Sequence, residues 1–574
     1  LDLTVIIITV VYIGFIFTIG VLTSKGIHNT DDFLLAGREV RWFFLACTLG
    51  ATVVGGGYSI GAVGETYDLG LLMLFASMGG YMQFIFAGFV VAPKFRKARV
   101  YTVAMYMSHR FGDGPRVMGL ILSLLFSVFV IAAQMAAIGH VLAAMFPNLA
   151  EGGALIKWAV VIGGIIVIIY SAAGGLKAVI LTDVFQFLVL IIGFVITAAL
   201  VLPEVSLSFG SSLGKLPDKF FDPTRERTWI YLVSLYLTFL LGETFAPGYV
   251  TRFCAGRDKR EIKIGIGGVG IFLTILMPVV VFLIAVYARL HFPDVPKDRA
   301  MALVIEHLNH PVIAGLIIAA LLSAVMSSAD SALNSATAIF IKDIFEQYFG
   351  EGKDKPKPGD EGRVKSNVDD PDKDADEAKD ADESTEGSGR RSIDDHKTLV
   401  LSRALTVGLG VLAIAVAVVL PDIIDQLLLA YVMWAPGMIV PIVIGTVTGM
   451  SGKGVTRDLT LSMIAGPVAA LAHKWLSHDL IATFLGARVQ SGIGTLLDAC
   501  IPVDTGLLAA HGTTVLPPAG ETLATFRDVA PAVLGVVVSA VVFSLLSVIR
   551  HFRSKRKAER QTRRSGEENK RTER

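Results

Sequence analysis

Leu49-Gly50-Ala51-Thr52-Val53-Val54-Gly55-Gly56-Gly57-Tyr58 decides how this chain is built. The stretch lies inside an apolar block that begins near residue 42, yet three successive glycines withdraw the side chains that support a helix. A second block, beginning near 229, is interrupted at Leu241-Gly242-Glu243-Thr244-Phe245-Ala246-Pro247-Gly248, where Pro247 lacks an amide hydrogen and Gly248 frees the backbone. Unwound backbone inside hydrocarbon survives only where protein buries it or a wet cavity meets it, because an unsatisfied peptide group is costly there. Bared carbonyls in such a place attract a cation. Glycines set for close helix packing are the other reading.

The rest of the chain supports a bilayer setting. Of 574 residues 53% are hydrophobic and 18% charged, with mean hydropathy +0.63, which leaves too little polar surface for a water-soluble globule of this size. Crossing roughly 30 Å of hydrocarbon takes about 20 helical residues. Blocks of that kind begin near residues 2, 42, 70, 116, 155, 178, 229, 264, 311, 398, 426, 457 and 529, which predicts an all-α membrane protein of about 13 transmembrane helices. None alternates as a barrel strand would. The two breaks fall five spans apart, an odd number, so the broken segments cross in opposite directions, as in an inverted repeat of two five-helix units with a site at the midplane.

Charge sets the expected topology. Lys94, Arg96, Lys97, Arg99, Arg110 and Arg116 crowd the loop after span three, and Arg252, Arg257, Lys259, Arg260 and Lys263 the loop after span seven. Both belong in the cytoplasm, as does a basic tail at 551–574, so the N-terminus is expected outside and the C-terminus inside the plasma membrane. Spans one to nine occupy 1–349 and spans ten to thirteen 398–550, with an external loop at 474–528. Between them, 350–397 is rich in Asp, Glu, Lys, Ser and Gly and reads as a disordered cytoplasmic insert, either a passive linker or a regulatory segment. The tail serves anionic lipid contact or plain topology anchoring. Net charge +1 hides strong local asymmetry and says nothing by itself about nucleic acid, which is not an expected partner, and Cys47, Cys254 and Cys500 read as small hydrophobic side chains. The opening apolar run has no charged leader and reads as a span, not a cleavable signal peptide. No phosphate-cradling loop, metal-ligand cluster or nucleophile-base motif suggests an enzyme.

The ninth span carries Ala324-Val325-Met326-Ser327-Ser328-Ala329-Asp330-Ser331-Ala332-Leu333-Asn334-Ser335. At 100° per residue its hydroxyl, acid and amide groups gather on one side, which must face the bundle interior. Serine can return a bond to the preceding turn without any ligand, but a mid-span aspartate is costly and usually paired or functional. Oxygen ligands suit sodium, a hard cation.

These features, with Asp31-Asp32-Phe33-Leu34-Leu35-Ala36-Gly37-Arg38, Gly174-Gly175-Leu176-Lys177-Ala178, Thr182-Asp183-Val184-Phe185-Gln186 and Lys342-Asp343, resemble the sodium/solute symporter family over roughly residues 1 to 450. The resemblance implies the leucine-transporter-type fold and sodium-driven import of a small organic solute by alternating access. It places a sodium on Ala51, Val54, Ala324, Ser327 and Ser328, and a possible second cation on Asp183, Asp330 and Ser331, where Asp330 replaces an expected serine. Asp183 is open to three readings: cation ligand, helix cap or partner of a nearby Lys. Val54-Gly55-Gly56-Gly57-Tyr58 is similar to the high-affinity choline transporter branch, but that branch's cage tryptophans align with Val53, Val130 and Ala246, and only Tyr81 keeps its ring. The expected pocket is Val53, Gly56, Tyr58, Tyr81, Gln134, Glu243, Phe245 and Trp434, suited to an amino acid, another small zwitterion or a compact carboxylate. Glu243 either meets a cationic group of the solute or bonds the freed amides of its own helix. A proton-coupled carrier of the same fold and a transporter-like sensor are the alternatives.

Overall fold

The computed structural model describes residues 3–24, 30–144, 154–211, 216, 218–224, 229–308, 310–348, 391–420, 423–448, 453–477 and 530–550. Among these, nine helices are long and apolar enough to cross a membrane: Leu3–Gly20, Leu71–Lys97, Asp113–Leu142, Gly175–Ser206, Lys259–His291, Pro311–Phe345, Thr398–Val419, Ile423–Thr446 and Pro531–Arg550. Two bent pairs bring the number to eleven, Trp42–Val53 with Gly57–Leu69 (64°) and Trp229–Gly242 with Pro247–Ala255 (51°). Both interruptions fall where the glycines and the Pro-Gly pair lie. The shorter apolar helix Lys157–Ile169 and the helix Lys453–Ser477 stand at the places expected for the fifth and twelfth spans. Large apolar side chains such as Val10, Trp158, Ile275 and Val419 face outward, an arrangement for lipid and not for water. The chain is an integral membrane protein.

Two expected boundaries move. The tenth helix starts at Arg391, so 391–397 are helical and not part of an insert, and Lys453–Ser477 takes in the first residues of the supposed external loop. The remainder of the insert, the rest of that loop and the basic tail lie outside the described residues.

The broken spans run antiparallel. Val40, just before the second span, donates its amide to Ala255 (3.1 Å) and accepts from Arg257 (2.9 Å), just past the seventh, so the entry of one adjoins the exit of the other. The fifth and sixth spans form one helical run, Ala154–Ser211, kinked at Gly175 with φ +55°. A Cβ there would come within 2.5 Å of the Phe33 ring, so only glycine lets the kink seat the segment before span two. That kink brings Asp183 of the sixth span toward the second and ninth.

Candidate functional site

Helix Trp42–Val53 closes with the Val54 amide on the Gly50 carbonyl (3.2 Å), and the next backbone bond runs from Ser59 to Gly55 (3.0 Å). The carbonyls of Ala51, Thr52, Val53 and Val54 therefore receive no backbone bond among the described residues. Neighbouring spans compensate in part. Ser328 of the ninth span donates to the Thr52 carbonyl (2.6 Å), and Gln134 Oε1 of the fourth accepts the Gly56 amide (2.8 Å). Residue 55 has to be glycine, since a Cβ there would stand 2.4 Å from Ser328 Oγ.

Ala51, Val54, Ala324 and Ser327 are fully buried and Ser328 nearly so. A hydroxyl carries one proton and two lone pairs. The Ser327 proton goes to Asp183 Oδ1 (2.5 Å), and the Ser328 proton to the Thr52 carbonyl in the break, with the Ala324 carbonyl 3.1 Å away, so both oxygens keep lone pairs.

The next layer corrects the loop assignment of Arg252. Its guanidinium is wholly buried and sits against Asp183 Oδ2 (3.3 Å), while Arg257, Lys259 and Arg260 beyond the helix end are exposed. Nε donates to Thr48 Oγ1 (2.9 Å), Nη1 to the Gly248 carbonyl (2.8 Å), and Nη2 also to Ser331 Oγ. Thr48 donates to Asp183 as well. Because the seventh helix restarts at Pro247, Arg252 falls about one turn into the new helix, on a segment whose residues from Tyr249 to Ala255 are all buried. Asp183 is thus paired with an arginine, which none of its three sequence readings named. Ser331 Oγ lies 3.0 Å from Thr52 Oγ1 and 3.3 Å from Asp330 Oδ1, so Asp183, Asp330 and Ser331 do share one neighbourhood, with a guanidinium already in it.

A cavity of about 40 Å3 adjoins this cluster through Thr52 and Ser328. Of the eight expected pocket residues, Val53, Tyr58, Gln134 and Glu243 line it. The other four stand behind its wall. Gly56 faces Ala137, Tyr81 backs the Tyr58 ring (5.2 Å between centroids), and Trp434 donates to the Thr244 carbonyl (3.0 Å). Phe245 holds the bend in a left-handed conformation, φ +63°. Val53, Val130 and Ala246, the three positions singled out by the resemblance, do converge on the cavity. Phe126, Tyr249 and Leu427 line it too and carried no sequence signal of their own beyond their spans. Glu243 accepts hydrogen bonds from the hydroxyls of Tyr249 (2.5 Å) and Tyr431, so among the described residues its carboxylate meets tyrosines and not the amides of its own broken helix.

Two antiparallel broken helices, with bared carbonyls beside a neighbouring hydroxyl and a cavity lined by both breaks, define a membrane protein of the inverted-repeat class. The Sodium:solute symporter family pattern matches residues 33–358, more than half of the chain, and the chain belongs to that family. It is 25% identical over 346 residues to the human sodium/iodide cotransporter, a match covering 57% of this chain and 52% of that one. With the osmoregulated proline transporter OpuE of Bacillus subtilis it shares 26% identity over 356 residues, 58% of this chain and 69% of the relative. This chain thus spans about half the length of the human relative. A solved Na+-coupled sialic acid symporter in a substrate-bound, outward-open state superposes with TM-score 0.66 at 18% identity, over 95% of this chain and 98% of that one, which shows a common fold.

Proposed function

We propose that this protein is a sodium-coupled symporter that imports a small organic solute by alternating access. Sodium is bound by the carbonyls of Ala51, Val54 and Ala324 and the hydroxyls of Ser327 and Ser328. The observation that carries this reading is the Ser328 hydroxyl docked on the Thr52 carbonyl within the break, a direct contact between the two spans that bear the candidate ligands. Sodium entering there ties the second and ninth spans together and favours the solute-ready state; its release to the cytoplasm loosens them.

The Arg252 guanidinium supports a stoichiometry of one sodium. It occupies the surroundings of Asp183 and Ser331, where a second cation would meet like charge. One charge moving through 100 mV yields about 2.3 kcal/mol and a tenfold sodium ratio about 1.4 more, enough for roughly 500-fold accumulation of a neutral solute. In this reading the protein spans the plasma membrane as thirteen helices, N-terminus outside and C-terminus inside, and carries a solute without chemically changing it.

A solute screen in proteoliposomes, with and without an inward sodium gradient, tests the proposal. Uptake should require sodium and persist when the proton gradient is collapsed; uptake that follows the proton gradient instead would identify a proton-coupled carrier.

A further inference from the structure

Among the described residues, Glu243 is the only acid that lines the cavity, and no Lys, Arg or His lines it beside Glu243. Its side chain is buried, and among the described residues it has no ion pair; Arg252, in the same helix as Tyr249, is held by Asp183. Two neutral tyrosine hydroxyls, one on each carboxylate oxygen, ease the cost of burial without supplying an opposite charge. Around them stands a shell of rings. Tyr58, Phe126 and Tyr249 reach the cavity wall, and behind it Phe126 packs on Trp434 (5.1 Å) and on Tyr431 (6.4 Å). Ring faces carry negative potential, so a carboxylate set among them makes a wall that attracts cations and repels a simple anion.

We propose that the transported solute bears a protonated amine, and that Glu243 receives it. This rests on the carrier reading above and narrows it: amino acids and other compact amines fit, whereas a carboxylate lacking an amine does not. Carboxylate oxygens accept N–H bonds, so primary and secondary ammonium groups satisfy the site better than a quaternary one, which has charge but no N–H to donate. The cavity, with room for a few waters, must widen to admit even such a solute, which favours compact ones.

The test uses the full-length protein in proteoliposomes under a sodium gradient, with alanine, proline and ethanolamine as amine-bearing probes and propionate, lactate and glycerol as amine-free ones. Uptake of at least one amine probe and of no amine-free probe is expected. Glu243→Gln should raise KM for the transported amine roughly 10- to 100-fold, and Tyr249→Phe should shift it in the same direction by less. Radioactive sodium binding without solute is the parallel readout. Its absence in the unaltered protein overturns the carrier reading itself. With sodium binding intact, transport of an amine-free probe, an entirely negative panel, or a Glu243→Gln KM within about twofold of the parent overturns the amine assignment. If Glu243→Gln does not fold, Glu243→Asp and Tyr249→Phe decide by the same KM criterion.

Discussion

Arg252 and Asp183 form a wholly buried pair that joins the second, sixth, seventh and ninth spans through Thr48, Gly248, Ser327 and Ser331. Removing one member leaves the other charge without compensation, which typically costs about 3–5 kcal/mol. Arg252→Gln should therefore lower the unfolding temperature in detergent markedly, and adding Asp183→Asn should restore part of the loss; additive losses in the double variant would deny the coupling. Ser327 belongs both to this network and to the proposed sodium site. Ser327→Ala should weaken sodium affinity at least about tenfold and also loosen the Asp183 contact, whereas Ser328→Ala should affect sodium with less effect on the pair. Arg252 was illegible in the sequence because it precedes three exposed basic residues, Arg257, Lys259 and Arg260, and shares their composition. Only the helix restart at Pro247 separates it from them by turning it inward.

The breaks are the elements on which the site depends, and they were legible because their cause is local: three glycines in one span, Pro247-Gly248 in the other. The serine side of the ninth span was legible for the same reason, through helical periodicity. What these elements touch was not. Glu243 meets Tyr249 across its own bend and Tyr431 from another span, a pairing set by a 51° turn that no spacing encodes. Trp434 and Phe245 looked like pocket residues and instead brace the bend, through the Thr244 carbonyl and a left-handed backbone. The close approach at Gly55 gives a test at this scale. Gly55→Ala should push Ser328 off the break and reduce sodium affinity, while Gly268→Ala, where an added Cβ meets nothing within 4 Å, should leave it unchanged. Equal sodium affinities in the two variants would argue against the break as part of the site.

Across the whole molecule, two five-helix units of opposite direction meet at the breaks, and the proposed sodium, bridging the second and ninth spans, would link one unit to the other. Alternation is then rocking of one bundle against the other, with the breaks as hinges. The insert contributes nothing to this chemistry in our account, so deleting residues 352–389 should leave sodium-driven uptake in place; its loss would support a signalling role. The central claim is that one sodium lies where the interrupted second span meets the hydroxyls of the ninth. Equilibrium binding of radioactive sodium to the purified protein tests it most directly. The account predicts saturable binding of one sodium per chain, abolished in a folded variant carrying Ser327→Ala with Ser328→Ala, and undiminished binding in that variant would contradict it.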